Sequence, residues 1–300
     1  MKFFKRTILV WFGLFILMPT FISAATTGIQ ISPLTFNFEL KTGETKTEKI
    51  IITNRNNEDL NYVIEKELFN QISEEGAPSF EGVPQQTGLT TLVDWISFPD
   101  AKEGVIKPGQ EKEIPFKIDI PSGAEPGGHY AAIFAKEVKK TPEGQTKLGV
   151  ASRVGALVLV SVPGKVTRSA QIEEFTFPKF VWQGPVEFSM KVKDTGTVHY
   201  DSEAKVDLKP ILGKTKQVEM GTHTILPNTS RAYKGTWANK YPFGYYVLSA
   251  IAKDGNGQPV TASAVMWAIP LAIAIPVFLG LIAVIILVKY LRKHYRVAKK

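Results

Sequence analysis

The sequence predicts an all-β ectodomain, two immunoglobulin-like β-sandwiches in tandem, followed by one transmembrane α-helix. Three observations lead there: an apolar segment at each end of the chain, residue alternation of period two through much of the stretch between them, and no cysteine among 300 residues. The terminal segments tie the chain to a membrane. The alternation makes the middle strands, and the missing thiols leave burial and strand pairing to supply stability.

At the front, Lys2, Lys5 and Arg6 precede an apolar run from Ile8 to Ile22, and Ser23-Ala24-Ala25 offers the small residues that signal peptidase requires. Residues 1–25 are therefore expected to be a cleaved export signal. At the back, the residues from Val265 to Val288 carry no charge. At a rise of ~1.5 Å each they reach about 36 Å, enough for a hydrocarbon core of ~30 Å. Residues 265–288 are read as the transmembrane helix and 289–300 as a basic cytoplasmic tail, because Lys and Arg beside a span are retained inside. The expected localisation is the cell membrane, single-pass, with the ectodomain outside. No Leu-Pro-x-Thr-Gly sorting sequence precedes the span, so the tether is expected to be permanent.

A formal charge of +8 and an isoelectric point near 9.4 would ordinarily suggest a polyanionic partner. The signal holds three basic residues and no acid, the tail six and no acid, and taking three and six from +8 leaves −1 for the exported region. The basicity is a topology signal, and no nucleic acid is expected as a partner.

Strands account for the exported region. Leu34, Phe36, Phe38 and Leu40 point one way while Thr35, Asn37 and Glu39 point the other. The turn at Lys41-Thr42-Gly43-Glu44 leads to a strand through Ile50-Ile51-Ile52, which Asn54-Arg55-Asn56-Asn57 breaks before Tyr62, Val63 and Ile64. Ile114, Phe116, Ile118 and Ile120 alternate with Pro115, Lys117 and Asp119, and Pro115, lacking a backbone donor, predicts an edge or a bulge there. Later, Val186, Phe188, Met190 and Val192 alternate with Glu187, Ser189, Lys191 and Lys193. A boundary at Pro163-Gly164-Lys165 divides a first sandwich, 26–163, from a second of seven strands, 164–263. The first carries a long irregular stretch from Asn70 to Asp94, and long loops in compact domains are often functional.

Catalytic chemistry finds no foothold. His129, His199, His223 and His294 lack metal-binding spacing, no Gly-x-Ser-x-Gly elbow occurs and no glycine-rich phosphate loop opens a helix. No enzyme activity, cofactor or metal is expected. Two places are candidates for ligand contact. In Pro126-Gly127-Gly128-His129-Tyr130-Ala131-Ala132-Ile133-Phe134, Tyr130, Ala132 and Phe134 would share one face of a central strand, and His129 and Tyr130 would meet a ligand at its start. In the second sandwich Trp182, Trp237 and Tyr246 belong to an aromatic cluster whose exposed faces would stack on sugar rings. Within Tyr245-Tyr246, alternation sends one ring inward and one outward.

The order of these features resembles a bacterial family, the WxL-interacting, peptidoglycan- and host-binding cell-surface proteins. The residues that carry the resemblance are Leu40-Lys41-Thr42-Gly43-Glu44, Ile52-Thr53-Asn54, Leu92-Val93-Asp94-Trp95, Ile106-Lys107-Pro108-Gly109 and the run from Pro126 to Ile133. They lie in the first sandwich. The second resembles a generic bacterial immunoglobulin-like module, through the turn Lys193-Asp194-Thr195-Gly196-Thr197-Val198-His199. The resemblance implies a membrane-anchored, non-catalytic cell-surface binding protein that docks cell-wall peptidoglycan or a wall-associated surface protein. The alternative is a chaperone-like assembly factor for exported surface or pilus subunits, working by β-strand addition at a sandwich edge.

Overall fold

The structure, a computed structural model, describes residues 28–69, 71–80, 90–100, 102–138 and 152–297. The expected export signal, residues 1–25, lies outside the described residues. The first sandwich contains β1 (Ile29–Ser32), β2 (Thr35–Glu39), β3 (Thr45–Asn54), β4 (Leu60–Leu68), β5 (Gln71–Ile72), β6 (Pro78–Ser79), α1 (Leu92–Trp95), β7 (Ile96–Ser97), β8 (Glu103–Ile106), β9 (Glu111–Asp119), β10 (Gly127–Glu137) and β11 (Arg153–Val162). One sheet runs β1-β3-β9-β7 and the facing sheet β2-β11-β10-β4-β8. All these neighbours are antiparallel except β2 and β11, which run parallel from Thr35↔Leu157 to Glu39↔Ser161.

The second sandwich contains β12 (Ala170–Thr176), β13 (Phe180–Val181), β14 (Val186–Asp194), β15 (Tyr200–Pro210), β16 (Lys216–Ile225), β17 (Ser230–Trp237), β18 (Gly244–Lys253) and β19 (Pro259–Ala268), and the helix α2 (Leu271–Val297) follows. A three-stranded sheet β12-β14-β17 faces a five-stranded sheet β13-β19-β18-β15-β16. These are eight strands where the sequence suggested seven. The extra one is β13, whose two residues pair parallel with Trp267 and Ala268 of β19 and are too few to show a period.

Alternation explains most of the packing. In β14, Val186, Phe188, Met190 and Val192 are buried while Glu187 is exposed, as one covered face requires. The first core gathers Ile50, Ile52, Phe116, Ile118, Ile133, Val158 and Val160 between its sheets, with Phe36 meeting Phe116 edge-on at 5.1 Å. The second closes on Phe188, Leu208, Tyr233 and Leu248. There the Tyr233 hydroxyl donates to Ser202 O at 2.9 Å, and burial pushes it up to about 12.

Within the irregular stretch β5 and β6 form a small hairpin and α1 is a single turn, and residues 81–89 lie outside the described set. Thr91 N–H donates to Asp94 Oδ2 at 2.8 Å across the start of α1, as a capping box does. Lys66 Nζ donates to Ile96 O at 2.6 Å and to Val93 O, satisfying carbonyls at the other end. Burial holds that lysine below its ordinary value.

The transmembrane boundary is corrected. Val265–Ala268 belong to β19, paired with Val247 to Gly244 of β18, and α2 begins at Leu271. A hydropathy window does not separate a final apolar strand from the helix after it, but alternation does: Met266 and Ala268 are buried while Val265 and Trp267 are exposed. Within α2, Leu271–Lys293 is long and apolar enough to cross a membrane, with a mean hydropathy of 3.1.

Candidate functional site: a locked domain junction and an open strand edge

The sandwiches meet where β10 begins. Tyr130, Phe134, Phe69, Ile72 and Leu159 of the first sandwich form a small buried cluster with Leu226 of the second, and the Tyr130 ring lies 5.8 Å from Phe69. Polar groups at this junction are matched. His199 N–H donates to the Tyr130 oxygen at 3.2 Å, its Nδ1 lies 3.3 Å from the same oxygen, and its Nε2 lies 2.8 Å from Asn37 Oδ1. A neutral imidazole with Nε2–H donating to Asn37 leaves Nδ1 to accept from the Tyr130 hydroxyl, so every polar atom of the ring is used. Burial enforces that neutrality, lowering His199 to about 4, and it raises the Tyr130 hydroxyl well above its ordinary value.

The hairpin of the irregular stretch clamps the same junction from the side. Ala232 N–H donates to Glu74 O at 3.0 Å, Arg231 donates to Ser73 O at 3.2 Å, and Lys191 pairs with Glu74 at 3.1 Å. On the other side Gly128 N–H donates to Thr197 O at 3.0 Å. The neighbouring Gly127 has φ 133, and a Cβ there would lie 3.1 Å from Thr197 O, so close approach and backbone conformation both require glycine. Beneath this contact Asp194 is fully buried. Its Oδ1 accepts from Gly196 N–H at 2.6 Å, its Oδ2 has no partner among the described residues, and burial raises it to about 6.

The outer flanks of the strands are where this architecture can receive another chain. Most are guarded. β1 and β8 are four residues each, short for edge strands. Along β9, Asn54 N–H donates to Gln110 O and Ile120 N–H to Glu44 O, so even-numbered residues bond β3 and odd-numbered ones face outward. Pro115 is odd, so the donor it lacks is an outward one. Glu111, Lys112 and Glu113 are exposed beside it. In the second sandwich β12 is interrupted by a bulge between Ile172 and Glu174, and on the flank of β17 Ala232 N–H is taken by Glu74 O.

One further flank is open over part of its length. Ser152 O accepts from Glu137 N–H, while Leu157 N–H donates to Leu34 O, so odd-numbered residues of β11 face β2. The β2 ladder begins only at Leu157, because the chain crosses from one sheet to the other at Pro33. Arg153 and Gly155 therefore direct their N–H and C=O groups toward a lane that no strand occupies among the described residues. Around them stand Val154, Ala156 and Leu157. Arg153 pairs with Glu67 at 2.7 Å and lies 4.2 Å from the Phe134 ring centroid.

The residues expected to touch ligand are dispersed. Tyr130 is a junction residue, as described. His129 sits against Trp95 at 4.5 Å between ring centroids, with Nε2 2.9 Å from Glu125 O. Tyr246 is buried, its hydroxyl donating to Phe243 O at 3.1 Å, and Trp237 packs on it edge-on at 5.3 Å. Tyr245 is the outward member of that pair and meets Trp267 at 4.9 Å. The Tyr130 ring, expected to meet a ligand, is enclosed in the junction, the Tyr246 ring, expected to stack on sugar, is buried, and Trp237 is half-buried against it. Trp182 alone among the five is broadly exposed. Among the described residues no group of three or more His, Cys, Asp or Glu side chains is placed to hold a metal ion.

No family model matches the chain and no curated protein matches it. Among solved structures the chain is similar to the class 5 fimbriae chaperone CfaA, with 13% identity, 80% of this chain and 99% of that one covered, and a TM-score of 0.40. It is also similar to a chain of a chaperone–tip adhesin complex of CFA/I fimbriae biogenesis, with 14% identity, coverage of 79% and 98%, and a TM-score of 0.41. For the E. coli chaperone DraB the figures are 11%, 79% and 98%, and 0.37. At these identities and scores the likeness is one of architecture. The leading expectation, docking on cell-wall peptidoglycan, is nevertheless corrected. The solved structures it is similar to are fimbrial chaperones, and of the three aromatic residues on which sugar stacking rested Tyr246 is buried and Trp237 half-buried.

Proposed function

We propose that this chain is a membrane-tethered, non-catalytic assembly factor that receives an exported surface-protein subunit by β-strand addition to the open flank of β11. In this reading α2 crosses the membrane, the sandwiches stand on the outer side and the basic tail lies inside. The single observation that carries the proposal is the outward backbone of Arg153 and Gly155, set among Val154, Ala156 and Leu157 and with no strand beside it among the described residues. An incoming strand would gain up to four backbone hydrogen bonds there, each worth ~1 kcal/mol net, with side-chain contacts adding selectivity. The locked junction supports the same role, because it fixes the two sandwiches relative to one another and removes the ordering cost of a hinge.

The absence of cysteine in the chain makes the test clean. A single thiol introduced as Ser152→Cys, carrying a photo-crosslinker in intact cells, is expected to capture an exported protein, whereas Lys112→Cys on the guarded β9 edge captures none. Adding Arg153→Pro removes an outward donor without touching the β10 ladder and is expected to lower capture about five- to tenfold, the equivalent of ~1 kcal/mol. Arg153→Ala loses the same side chain but keeps the N–H, so it retains capture. Equal capture by the proline and alanine variants would sink strand addition at this flank.

A further inference from the structure

The foot of the second sandwich, where β19 passes into α2, carries a rim of exposed aromatic residues that strand addition does not use. Phe180 is 61% exposed, Trp182 53%, Tyr241 42%, Phe243 75% and Trp267 48%. Three chain segments bring them together. Phe180 pairs with Trp267 across β13 and β19, Gly184 N–H donates to Lys240 O at 3.1 Å, and Ile269 N–H donates to Val181 O at 2.8 Å. Soluble surfaces rarely leave so many large apolar side chains in one place without a partner.

We propose that this rim docks on the lipid surface around the helix, its rings seated at the boundary between headgroups and acyl chains. The proposal rests on the reading that α2 crosses the membrane. Only Ile269 and Pro270 separate β19 from α2, so the end of β19 lies no more than about 11 Å from the start of the helix, and Trp267, paired with Phe180, stands at that exit. Phe243 already lines a hollow with Pro270, Ile273, Ala274 and Val277 of the helix, which makes the rim continuous with the apolar surface of the span. Trp and Tyr favour this depth because an apolar ring meets lipid while its polar edge stays wet.

Charge points the same way. Segments 177–185, 238–246 and 265–271 contain no Asp or Glu, and they contribute Lys179 and Lys240, both exposed. Lys240 Nζ lies 5.3 Å from the Tyr241 ring centroid, so one cation stands beside an aromatic ring as an anionic headgroup would require. A rim held this way would restrict the tilt of both sandwiches and keep the β11 flank at a defined height above the bilayer.

The test uses the full chain in vesicles of phosphatidylcholine and phosphatidylglycerol, with bromine on the lipid chains either near the headgroup or near the chain end. Fluorescence differences between the parent and Trp182→Phe or Trp267→Phe isolate each indole from the other tryptophans. Circular dichroism checks that each variant keeps its fold. Shallow bromine is expected to quench both components roughly twofold more than deep bromine. If neither indole is quenched while the chain resists alkaline carbonate extraction, the rim proposal fails and the spanning helix stands. If carbonate extracts the chain, the spanning reading fails and the rim proposal fails with it. Quenching that disappears on dilution of the protein in the membrane would assign the rim to a second copy of the chain and overturn the lipid assignment.

Discussion

Aromatic side chains crowd both ends of the second sandwich, and the two ends treat them oppositely. At the junction Tyr130 and Phe69 are buried against Leu226 and the hydroxyl of Tyr130 is matched to His199. At the foot Phe180, Trp182, Phe243 and Trp267 face outward, with lysines rather than matched polar partners around them. The difference lies in what covers each surface. The junction finds its cover within the chain, 69 residues away along the sequence in the case of Tyr130 and His199; the foot has no such cover among the described residues. An aromatic cluster in a sequence marks a surface to be covered, and only the fold tells whether the cover is self, partner or lipid.

The sharpest way to break that comparison is to remove cover from each end in turn. Leu226 has no exposure and is the second sandwich's contribution to the junction cluster, so Leu226→Ala is expected to cost ~2–5 kcal/mol through lost burial and the cavity left behind. Phe243→Ala at the foot is expected to change stability by no more than ~0.5 kcal/mol in detergent. Urea unfolding of the full chain measures both. Equal losses would mean that the foot is as internally packed as the junction.

Acid is the next lever, and it acts through the junction. Burial, the largest influence, lowers His199 to about 4 from an ordinary 6.5, with Asp201 nearby pulling it up and Arg168 down. Its contribution to stability is complete above about 6.5 and is lost as pH falls toward about 4, an effect on the order of 3 kcal/mol. Asp194 has the opposite sign: raised to about 6 from 3.8, it favours the folded state at low pH and loses that contribution as pH rises through about 6. Across the overlap of the two windows the titrations offset each other in the native chain. Asp194→Asn is expected to expose the histidine, giving a stability that falls steadily from about pH 6.5 to about pH 4. His199→Gln is expected to shift the slope the other way, toward the sign of Asp194, opposed only by the burial-lowered His129 and His223. Urea midpoints against pH decide it; an unchanged profile in Asp194→Asn would remove His199 from the account.

The legible and illegible parts of the molecule divide along the same line. One-sided strands such as β14 were readable because alternation follows directly from a covered and an uncovered face. Pro115 announced its edge through the donor it lacks. Tyr130 was not readable: six successive residues of β10, from Tyr130 to Ala135, are buried, and a strand covered on both faces carries no period from which to assign its sides. The end of β19 was hidden for a related reason, its apolar residues continuing into those of α2. The open lane beside β11 had no local signal, since it depends on where β2 crosses between sheets at Pro33, more than a hundred residues earlier in the chain.

The finest cut through the comparison is a single oxygen. Tyr130→Phe keeps the ring 5.8 Å from Phe69 and removes only the hydroxyl that receives His199 N–H and faces His199 Nδ1. Both histidine atoms are then buried without that partner, and water is not at hand to replace it, so the expected cost is ~1–3 kcal/mol. The equivalent change at the foot, Tyr241→Phe, removes a hydroxyl from an exposed ring that water can solvate with or without it, and is expected to stay within ~0.5 kcal/mol. Urea midpoints of the two variants, measured side by side, decide the matter. If Tyr130→Phe is as mild as Tyr241→Phe, the junction is held by its apolar cluster alone and the His199–Asn37 pair contributes orientation rather than stability.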